Sequence, residues 1–527
     1  MSRTLPSLRQ WARYATNYPV SCSGRGCLLR SSFNKLAARR FYASVSAAEL
    51  RFGQPLHETH PHILKAGELT PGITALEYAH RRSKLASKLP KNAIAVVAAS
   101  DIKYRSGSVF YEYHQDPDFF YLTGAKNCST LFSGDFCLSS GLGFNEPGAL
   151  AIIGNDGSDN DHVFHLYVRE KDPKAELWEG ARSGVQAAID VFNADISGSI
   201  DDVSTSPPSI LSDASTIYTD LRLTDPSRSS LSRFFSLLKQ KNGVLEKIMA
   251  SHKMRALRPV LNELRIYKSE GEIQNMRKAG QASGRAFTEA MRNGFTKEKD
   301  IHAFLEYQFK MNGCDGPAFV PVVAGGQNAL SIHYVRNDDV LRNEDMVLVD
   351  GGGMFPSLLT VIKEYGGYIS DITRTWPVNG KFSEPQKELY NAILSVQRTC
   401  VSLCRESAGL SLDMLHGIAE KGLREQLKAL GFDVSGSAMA TLFPHHLGHY
   451  IGLDVHDCVG YSRNLELEAG QCITIEPGIY VPDDERWPKH FRGIGIRIED
   501  SVCIGEENPL ILTTEAVKEI DDIEVLR

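Results

Sequence analysis

The sequence predicts an α+β fold, in which a mixed α/β region precedes a larger region of strands and long helices. In the first region, apolar runs typical of buried strands, at residues 93–98 and 149–153, alternate with helical patterns. The second region opens with a capping box at residues 269–272, the signature of a helix amino terminus. Two further helical patterns, at 384–406 and 412–430, separate strands that carry acidic residues from a histidine-rich segment.

Length and composition describe an ordinary globular protein. The 527 residues are enough for two or three domains, and 42% are hydrophobic and 23% charged. The formal net charge of −6 gives no reason to expect a nucleic acid as partner. No apolar run approaches the length of a transmembrane helix. The ten cysteines form no CxxC pair, which predicts reduced thiols in a reducing compartment.

The first 48 residues differ in kind from the rest. They contain eight basic residues and no acidic residue before Glu49, with apolar positions spaced as in amphipathic helices. This composition predicts a mitochondrial transit peptide over residues 1–48, and a mature protein that is in the matrix or associated with the inner membrane. A disordered basic tail is the alternative. A secretory signal is disfavoured because no continuous apolar segment is present.

Five residues in the carboxyl-terminal half form a plausible metal-ligand set. Four carboxylates and one imidazole lie on strand-like segments, and the five are Asp350, Asp371, His449, Glu476 and Glu499. Four carboxylates would neutralise two divalent cations. Such an oxygen-rich set suits Mn²⁺, Co²⁺ or Zn²⁺ better than a thiolate site would. A paired site of this kind usually activates a water for hydrolysis.

Each of the two aspartates also has a structural interpretation. Asp350 could cap a turn before Gly351, and Asp371 could pair with Arg374. A carboxylate at the end of an apolar strand is costly unless it is paired or bound to a metal.

The histidine-rich segment superficially resembles the HExxH zinc helix. His445 and His449 are four residues apart, but His446 stands where the glutamate would be. Gly448 and Gly452 also disfavour a stable helix. We therefore interpret His449 alone as a ligand and expect a surface or packing role for His446.

Several short motifs, in one order, resemble those of the pita-bread metallopeptidases, and among them the Xaa-Pro aminopeptidase (aminopeptidase P) branch. The resemblance covers residues 263–527 as a catalytic domain and residues 57–256 as an amino-terminal domain. The matching motifs are AF at 318–319, IHY at 332–334, DG at 350–351, DITRTWP at 371–377, GHYIGLDVHD at 448–457, IEPGIY at 475–480 and GIGIRIED at 493–500. The segment 113–124 resembles the signature of the amino-terminal domain; an aromatic strand and turn is its structural alternative.

The resemblance implies a catalytic domain built on a curved antiparallel sheet whose concave face holds two metal ions, with Mn²⁺ as the first choice. Asp350 would bind one ion, Asp371 and Glu499 would bridge both, and His449 and Glu476 would hold the other. Glu476 would also act as the catalytic base.

The same resemblance assigns the substrate pocket. His333 and His456 would be catalytic residues that bind the scissile carbonyl and aid proton delivery, although a core histidine would be the favoured interpretation of each if no motif surrounded it. His445 would line the pocket, and Tyr480 and Arg497 would orient metals and substrate.

The implied activity is removal of the amino-terminal residue from a peptide or protein. The substrates would be Xaa-Pro peptides, bulky residues exposed after mitochondrial presequence cleavage, or both. A prolidase, which cleaves Xaa-Pro dipeptides, is the first alternative, and a non-catalytic pita-bread module that binds peptides is an alternative of another class. We also expect a homo-oligomer, either a dimer or a tetramer.

Two segments depart from the family pattern. Relatives connect the two aspartates through about ten residues, whereas residues 354–364 extend the connection here. Residues 125–143 similarly intervene after the motif at 121–124. Both fall at predicted strand connections, where additional residues cost little loop entropy.

Overall fold

The computed structural model describes residues 52–53, 55–57, 59–62, 64–107, 109–123, 146–154, 162–204, 206–221, 247–248, 251–355 and 367–527. The predicted transit peptide, the extra segment at 125–143 and most of residues 231–254, whose apolar spacing predicts a helix, lie outside the described residues. Of the second extra segment, the structure describes Met354 and Phe355.

The amino-terminal region alternates strands and helices, as the sequence predicts. Its strands are β1 (Glu68–Thr70), β2 (Ile73–Thr74), β3 (Ala93–Ala98), β4 (Tyr104–Ser106), β5 (Val109–Phe110), β6 (Leu150–Gly154), β7 (Val163–Val168), β8 (Ile196–Ser199), β9 (Thr216–Tyr218) and β10 (Lys253–Arg255). Its helices are α1 (Ala75–Lys88), α2 (Pro117–Leu122), α3 (Pro173–Glu179), α4 (Gly184–Asp190) and α5 (Ser209–Asp213).

Six of these strands form one mixed sheet in the order β10-β9-β3-β6-β7-β8. Strand β3 pairs in parallel with β9 and antiparallel with β6. Its alternate residues enter two different apolar clusters, Ala95 on one face and Val96 on the other. The sheet is therefore covered on both faces, which accounts for the uninterrupted apolar composition of β3.

The structural alternative for the segment at 113–124, an aromatic strand and turn, is wrong. The aromatic segment at 113–124 contains helix α2, whose amino terminus is capped by the Asp116 side chain accepting from the Phe119 N–H at 2.9 Å. Asp-Pro is a typical helix start, because proline at the first helical position loses no hydrogen bond. Residues 204–212 are rich in serine and proline, a composition typical of surface loops, yet they include part of α5.

The carboxyl-terminal region contains the long helices. They are α6 (Arg258–Arg265), α7 (Glu270–Arg292), α8 (Glu298–Met311), α9 (Glu384–Ser402) and α10 (Leu412–Ala429), with the short α11 (Ala438–Leu442) and α12 (Ile520–Glu524). The predicted capping box is present at the start of α7, where Ser269 and Glu272 exchange hydrogen bonds. Helices α9 and α10 begin and end within a few residues of their predicted bounds.

Short antiparallel sheets complete this region. The strands are β11 (Gly316–Pro317), β12 (Val322–Gly325), β13 (Met346–Gly351), β14 (Gly353–Phe355), β15 (Tyr368–Ile369), β16 (Ile372–Pro377), β17 (Cys472–Ile475), β18 (Gly478–Tyr480), β19 (Gly495–Arg497), β20 (Asp500–Cys503) and β21 (Leu510–Ile511). Strands pair in the orders β12-β13-β16, β11-β14-β15, β17-β20-β21 and β18-β19. The α+β class is confirmed.

Candidate metal centre and substrate pocket

The hairpin of β13 and β16 brings the two predicted aspartate ligands together. Asp350 lies in β13 opposite Thr373 of β16, and Asp371 immediately precedes β16. The backbone N–H of Asp371 donates to Ser501 Oγ at 3.1 Å. The pairing of the strands therefore fixes the spacing of the two carboxylates, since the register is set over the whole length of both strands.

The two glutamates lie on a second pair of hairpin-like segments. Glu476 connects β17 to β18, and Glu499 connects β19 to β20, so the two residues face each other between paired strands. The backbone N–H of Glu499 donates to the carbonyl of Thr373 at 3.0 Å, which attaches this segment to β16. All four carboxylates consequently meet at one place.

His449 belongs to a segment that is extended and not helical, as expected from its glycines. Its backbone N–H donates to Thr474 Oγ1 at 3.1 Å, and its carbonyl accepts from the Thr474 N–H at 2.9 Å. A Cβ at Gly448 would lie 1.9 Å from the Thr474 carbonyl oxygen, so only glycine permits this close approach.

Three of the predicted ligands form a compact cluster. One ligand atom each of Asp371, His449 and Glu499 lies within 4.8 Å of the others. His449 Nε2 is 3.5 Å from Asp371 Oδ2 and 3.7 Å from Glu476 Oε1. Asp350 lies beside Asp371, close enough to raise the pKa of that carboxyl. The structure thus brings all five predicted ligands to one site.

The buried carboxylates repel one another. Burial, followed by the Asp350 and Glu476 charges, raises the pKa of Asp371 well above its ordinary value. Burial and the Asp371 carboxylate do the same to the pKa of Glu499. Burial, followed by Glu499, raises the pKa of Glu476 to about 8. Crowded acids of this kind are costly without cations nearby.

Three carboxylate oxygens in this cluster are buried without a hydrogen-bond partner: Asp350 Oδ1, Asp371 Oδ1 and Glu499 Oε1. Buried polar atoms in proteins are almost always satisfied, so orphaned oxygens that converge on one point need an explanation. Divalent cations would supply it, because hard ions bind carboxylate oxygens and offset their charge. The residues present therefore fit a metal centre.

The structure contradicts both structural alternatives for the aspartates, an ion pair of Asp371 with Arg374 and a turn cap for Asp350. The Arg374 guanidinium pairs with Asp500, at 2.7 Å from Nη2 to Oδ1, and not with Asp371. Asp350 lies within a strand and accepts from Arg497 Nη2 at 2.6 Å, so it caps no turn.

His456 lies at the edge of the carboxylate cluster. Its ring packs edge-on against His449, with ring centroids 4.4 Å apart and planes at 75°. Burial, then the neighbouring His449 and His333, lower the pKa of His456. His333, which is exposed, lies near enough to His456 to contribute to this shift.

His445, Tyr480 and Arg497 form a hydrogen-bonded group beside the carboxylate cluster. His445 Nε2 and the Tyr480 hydroxyl are 2.9 Å apart, and Arg497 Nη1 donates to the same hydroxyl at 2.8 Å. Burial, followed by Arg497, lowers the pKa of His445 to about 3. Because Arg497 also donates to Asp350, these hydrogen bonds connect His445 and Tyr480 to the carboxylate cluster.

The sequence reasoning missed two threonines. Thr373 Oγ1 donates to Glu499 Oε2 at 2.6 Å and accepts from Arg497 Nε at 2.9 Å. Thr474 Oγ1 donates to Glu476 Oε1 at 3.3 Å. Both lie two residues from a predicted ligand, so the alternation of a strand could have placed them on the ligand face.

His446, for which a surface or packing role was expected, has specific contacts. Its ring stacks on His416 with centroids 4.5 Å apart, and its Nε2 lies 3.0 Å from Asp413 Oδ1. These contacts fix the start of the histidine segment to helix α10.

Comparison with known proteins finds two family matches. The sequence model of metallopeptidase family M24 matches residues 274–506. The model of the aminopeptidase P N-terminal domain matches residues 78–132 and 141–218. The interruption between these two ranges falls inside the extra segment predicted at 125–143.

Similar proteins align with this chain over most of the length of both sequences. The chain is 45% identical to intermediate cleaving peptidase 55 of Saccharomyces cerevisiae, over 90% of this chain and 88% of that protein. It is 35% identical to Xaa-Pro aminopeptidase 3 of Homo sapiens, over 93% of this chain and 94% of that protein. The crystal structure of the yeast peptidase bound to the inhibitor apstatin superposes with a TM-score of 0.70 and 40% identity, covering 87% of this chain and 99% of that one.

Proposed function

Because this chain belongs to metallopeptidase family M24, in the Xaa-Pro aminopeptidase branch, we propose that it removes single residues from the amino termini of peptides and imported proteins. It is a hydrolase with the aminopeptidase P fold, in which an amino-terminal domain precedes a pita-bread domain. We take residues 57–256 and 263–527 as those domains. The observation that carries the proposal is the cluster of Asp371, His449 and Glu499 with its orphaned carboxylate oxygens.

The family implies divalent metal ions, and five residues would hold two of them: Asp350, Asp371, His449, Glu476 and Glu499. The carboxylates of Asp350, Asp371, Glu476 and Glu499 and the imidazole of His449 would supply the ligand atoms. We propose Mn²⁺, with Co²⁺ and Zn²⁺ as alternatives, because the ligands are mainly carboxylates. When bound, such ions supply Lewis acidity that activates a water and polarises a carbonyl.

The remaining chemistry belongs to side chains of this chain. Glu476, as the general base, accepts the proton of the attacking water. His456 donates a hydrogen bond to the scissile carbonyl oxygen, with His333 beside it. His445 and Tyr480 close the pocket around the second residue of the substrate.

An Xaa-Pro bond is a demanding substrate. Its nitrogen carries no hydrogen, and the proline ring prevents the extended backbone that most peptidases bind. His445, whose ring makes a T-shaped contact with the buried Phe443 at a centroid distance of 4.9 Å, is the aromatic residue that we propose packs against such a ring. A second substrate class follows from the relatives named for intermediate cleavage: proteins whose first residue is bulky after presequence removal.

We place the protein in mitochondria, since one relative is named as mitochondrial and the first 48 residues have the composition of a transit peptide. Residence in the matrix or at the inner membrane, and a dimeric or tetrameric assembly, are further parts of the proposal. In the part of the chain that the structure describes, no helix is both long and apolar enough to span a membrane.

One set of assays tests the proposal. Purified protein with added Mn²⁺ is incubated with an Xaa-Pro-Yaa tripeptide, the matching Xaa-Pro dipeptide and a peptide beginning Tyr-Ala-Ser, with Asp371→Asn as the inactive control. Release of the first residue from the tripeptide or the Tyr peptide is expected. Cleavage of the dipeptide alone would identify a prolidase. Binding of the peptides without any cleavage would identify a non-catalytic module.

A further inference from the structure

Helix α6 (Arg258–Arg265) connects the two regions of the chain and contacts the loop that carries His456. Asn262 Nδ2 donates to the carbonyl of Val459 at 3.0 Å. Its backbone carbonyl lies 3.9 Å from the thiol of Cys458. Cys458 has φ of +50°, an uncommon conformation for a residue with a side chain. The loop thus has a costly backbone conformation just after His456, held in place by α6.

Arg265, the last residue of α6, binds three carboxylates at once. Nη1 donates to Asp118 Oδ1 at 2.5 Å, and Nη2 donates to Asp454 Oδ2 at 2.9 Å and to Asp457 Oδ1 at 2.5 Å. Asp118 belongs to helix α2 of the amino-terminal region, whereas Asp454 and Asp457 flank His456. A single guanidinium therefore joins that region to both sides of the histidine.

Asp457 is held from two directions. Its other oxygen accepts from Lys268 Nζ at 3.0 Å, and its side chain is 1% exposed. Its backbone N–H donates to the carbonyl of Tyr450 at 2.8 Å, next to His449. A Cβ at Gly452 would lie 2.3 Å from Asp457 Oδ2, so the carboxylate fills the space that any larger residue would need.

We propose that Arg265 is a positioning residue: together with Asp118 and Asp457 it forms a clasp that fixes His456 against His449 in the substrate cleft. This inference rests on the proposed function, because it assigns His456 a part in the reaction. The clasp makes the geometry of the cleft depend on a carboxylate from the amino-terminal region.

Stability alone does not account for the clasp. Replacing a buried ion network by apolar side chains is often neutral or stabilising, so such a network is weak evidence for a stabilising role. Its geometric consequence is larger, because a displacement of about 1 Å at a catalytic group can reduce a rate about 10²-fold. A planar guanidinium with two forked contacts fixes direction as well as distance, which lysine does not.

The experiment uses the full-length protein with Mn²⁺ and compares Arg265→Gln with a matched control on the same helix. Glu263→Gln removes a different ion pair between α6 and the amino-terminal region, Lys88 Nζ to Glu263 Oε2 at 2.7 Å, and leaves Arg265 with its three carboxylates. We expect Arg265→Gln to lower kcat about 10- to 100-fold with metal content unchanged. Glu263→Gln should leave kcat within about threefold, as is usual for exposed pairs.

A double-mutant cycle distinguishes positioning from general destabilisation. If Arg265 acts through His456, adding Arg265→Gln to His456→Ala should lower kcat by less than about threefold more. If the losses of kcat in the two single variants multiply in the double variant, the proposal is overturned. Loss of bound metal in Arg265→Gln would overturn it as well. Asp118→Asn is a milder second variant, with an expected loss of about three- to tenfold that is likewise absent in the His456→Ala background.

Hydrogen exchange supplies a readout that needs no activity. Amides at 454–459 should exchange faster in Arg265→Gln and in Asp118→Asn than in Glu263→Gln. Unchanged exchange would contradict the clasp even if the enzyme is active, and unfolding of Asp118→Asn would show a stability element instead. An inactive wild-type protein whose variants show the expected exchange would refute the proposed function and leave the clasp intact.

Discussion

Thr373 and Glu499 are joined by two hydrogen bonds that run in opposite directions. The Thr373 hydroxyl donates to Glu499 Oε2 at 2.6 Å, and the Glu499 backbone N–H donates to the Thr373 carbonyl at 3.0 Å. The same hydroxyl accepts from Arg497, so its proton must point to the glutamate. One carboxylate oxygen of Glu499 is thereby fixed while the other, Oε1, stays without a partner.

Removal of this hydroxyl should weaken metal binding. Thr373→Val keeps the shape of the side chain but frees Glu499 to rotate, and we expect a 10- to 100-fold loss in Mn²⁺ affinity, typical of partners that orient a ligand. Isothermal titration of the metal would measure it. Thr373→Ser, which keeps the hydroxyl, is the control; equal affinity in the valine and serine variants would contradict the prediction.

Removal of one bridging charge should abolish activity. Asp371→Asn or Glu499→Gln leaves two divalent ions with three carboxylates, and the cluster then becomes net positive. We expect no detectable turnover with the fold retained, as measured by peptide hydrolysis and circular dichroism. Turnover near that of the wild type in metal-replete buffer would contradict the assignment of Asp371 and Glu499 as ligands.

Removal of the His456 side chain should slow the reaction without changing the metal content. We expect His456→Ala to lower kcat about 10²- to 10⁴-fold, the usual range for a proton-transfer or hydrogen-bonding group in the transition state. Metal content, determined by elemental analysis, should stay near normal. A fall in metal stoichiometry would make His456 a ligand.

Metal removal should destabilise the protein. An ion that binds the folded state alone raises stability by mass action, and the crowded Asp371, Glu476 and Glu499 carboxylates lose their counter-charge without it. We expect chelation to lower Tm of the wild type in a thermal melt and Mn²⁺ to restore it. An identical response of Asp371→Asn would show that the ion acts elsewhere.

The mature amino terminus should report the processing of the chain itself. Arg40 stands two residues before the bond that follows Phe41, so a processing peptidase would expose Tyr42. An aminopeptidase that trims bulky first residues would then leave Ala43 at the terminus. Amino-terminal sequencing of the protein from its own cells decides: Ala43 supports trimming, Tyr42 argues against it, and Met1 removes the mitochondrial assignment.

Local signals in the sequence predicted local structure well. The capping box at Ser269 predicts the start of α7, because both of its hydrogen bonds join residues three positions apart. The Asp-Pro pair at 116–117 marks the start of α2 in a similarly local way, within a segment whose structural alternative was a strand and turn. The five ligand residues were predicted from acids at strand ends and from the family motifs around them.

Partners that are distant in sequence could not be predicted. Arg374 lies three residues from Asp371, yet its guanidinium binds Asp500, 126 residues away. Arg265 finds Asp118 and Asp457 at separations of 147 and 192 residues. A single sequence records which charges exist but not which of them the packing of strands and helices brings together.

The pairing of β14 with β15 has a consequence for the evolution of chain length. Phe355 pairs with Tyr368, and Gly367 before it has φ of +65°, the conformation required in tight two-residue turns. Deleting ten of the residues between 356 and 366 would leave such a turn and restore the spacing of about ten residues that relatives have between the two aspartates. Insertions and deletions between Phe355 and Gly367 are therefore expected to leave the pairing of β14 with β15 unchanged, and with it the positions of Asp350 and Asp371.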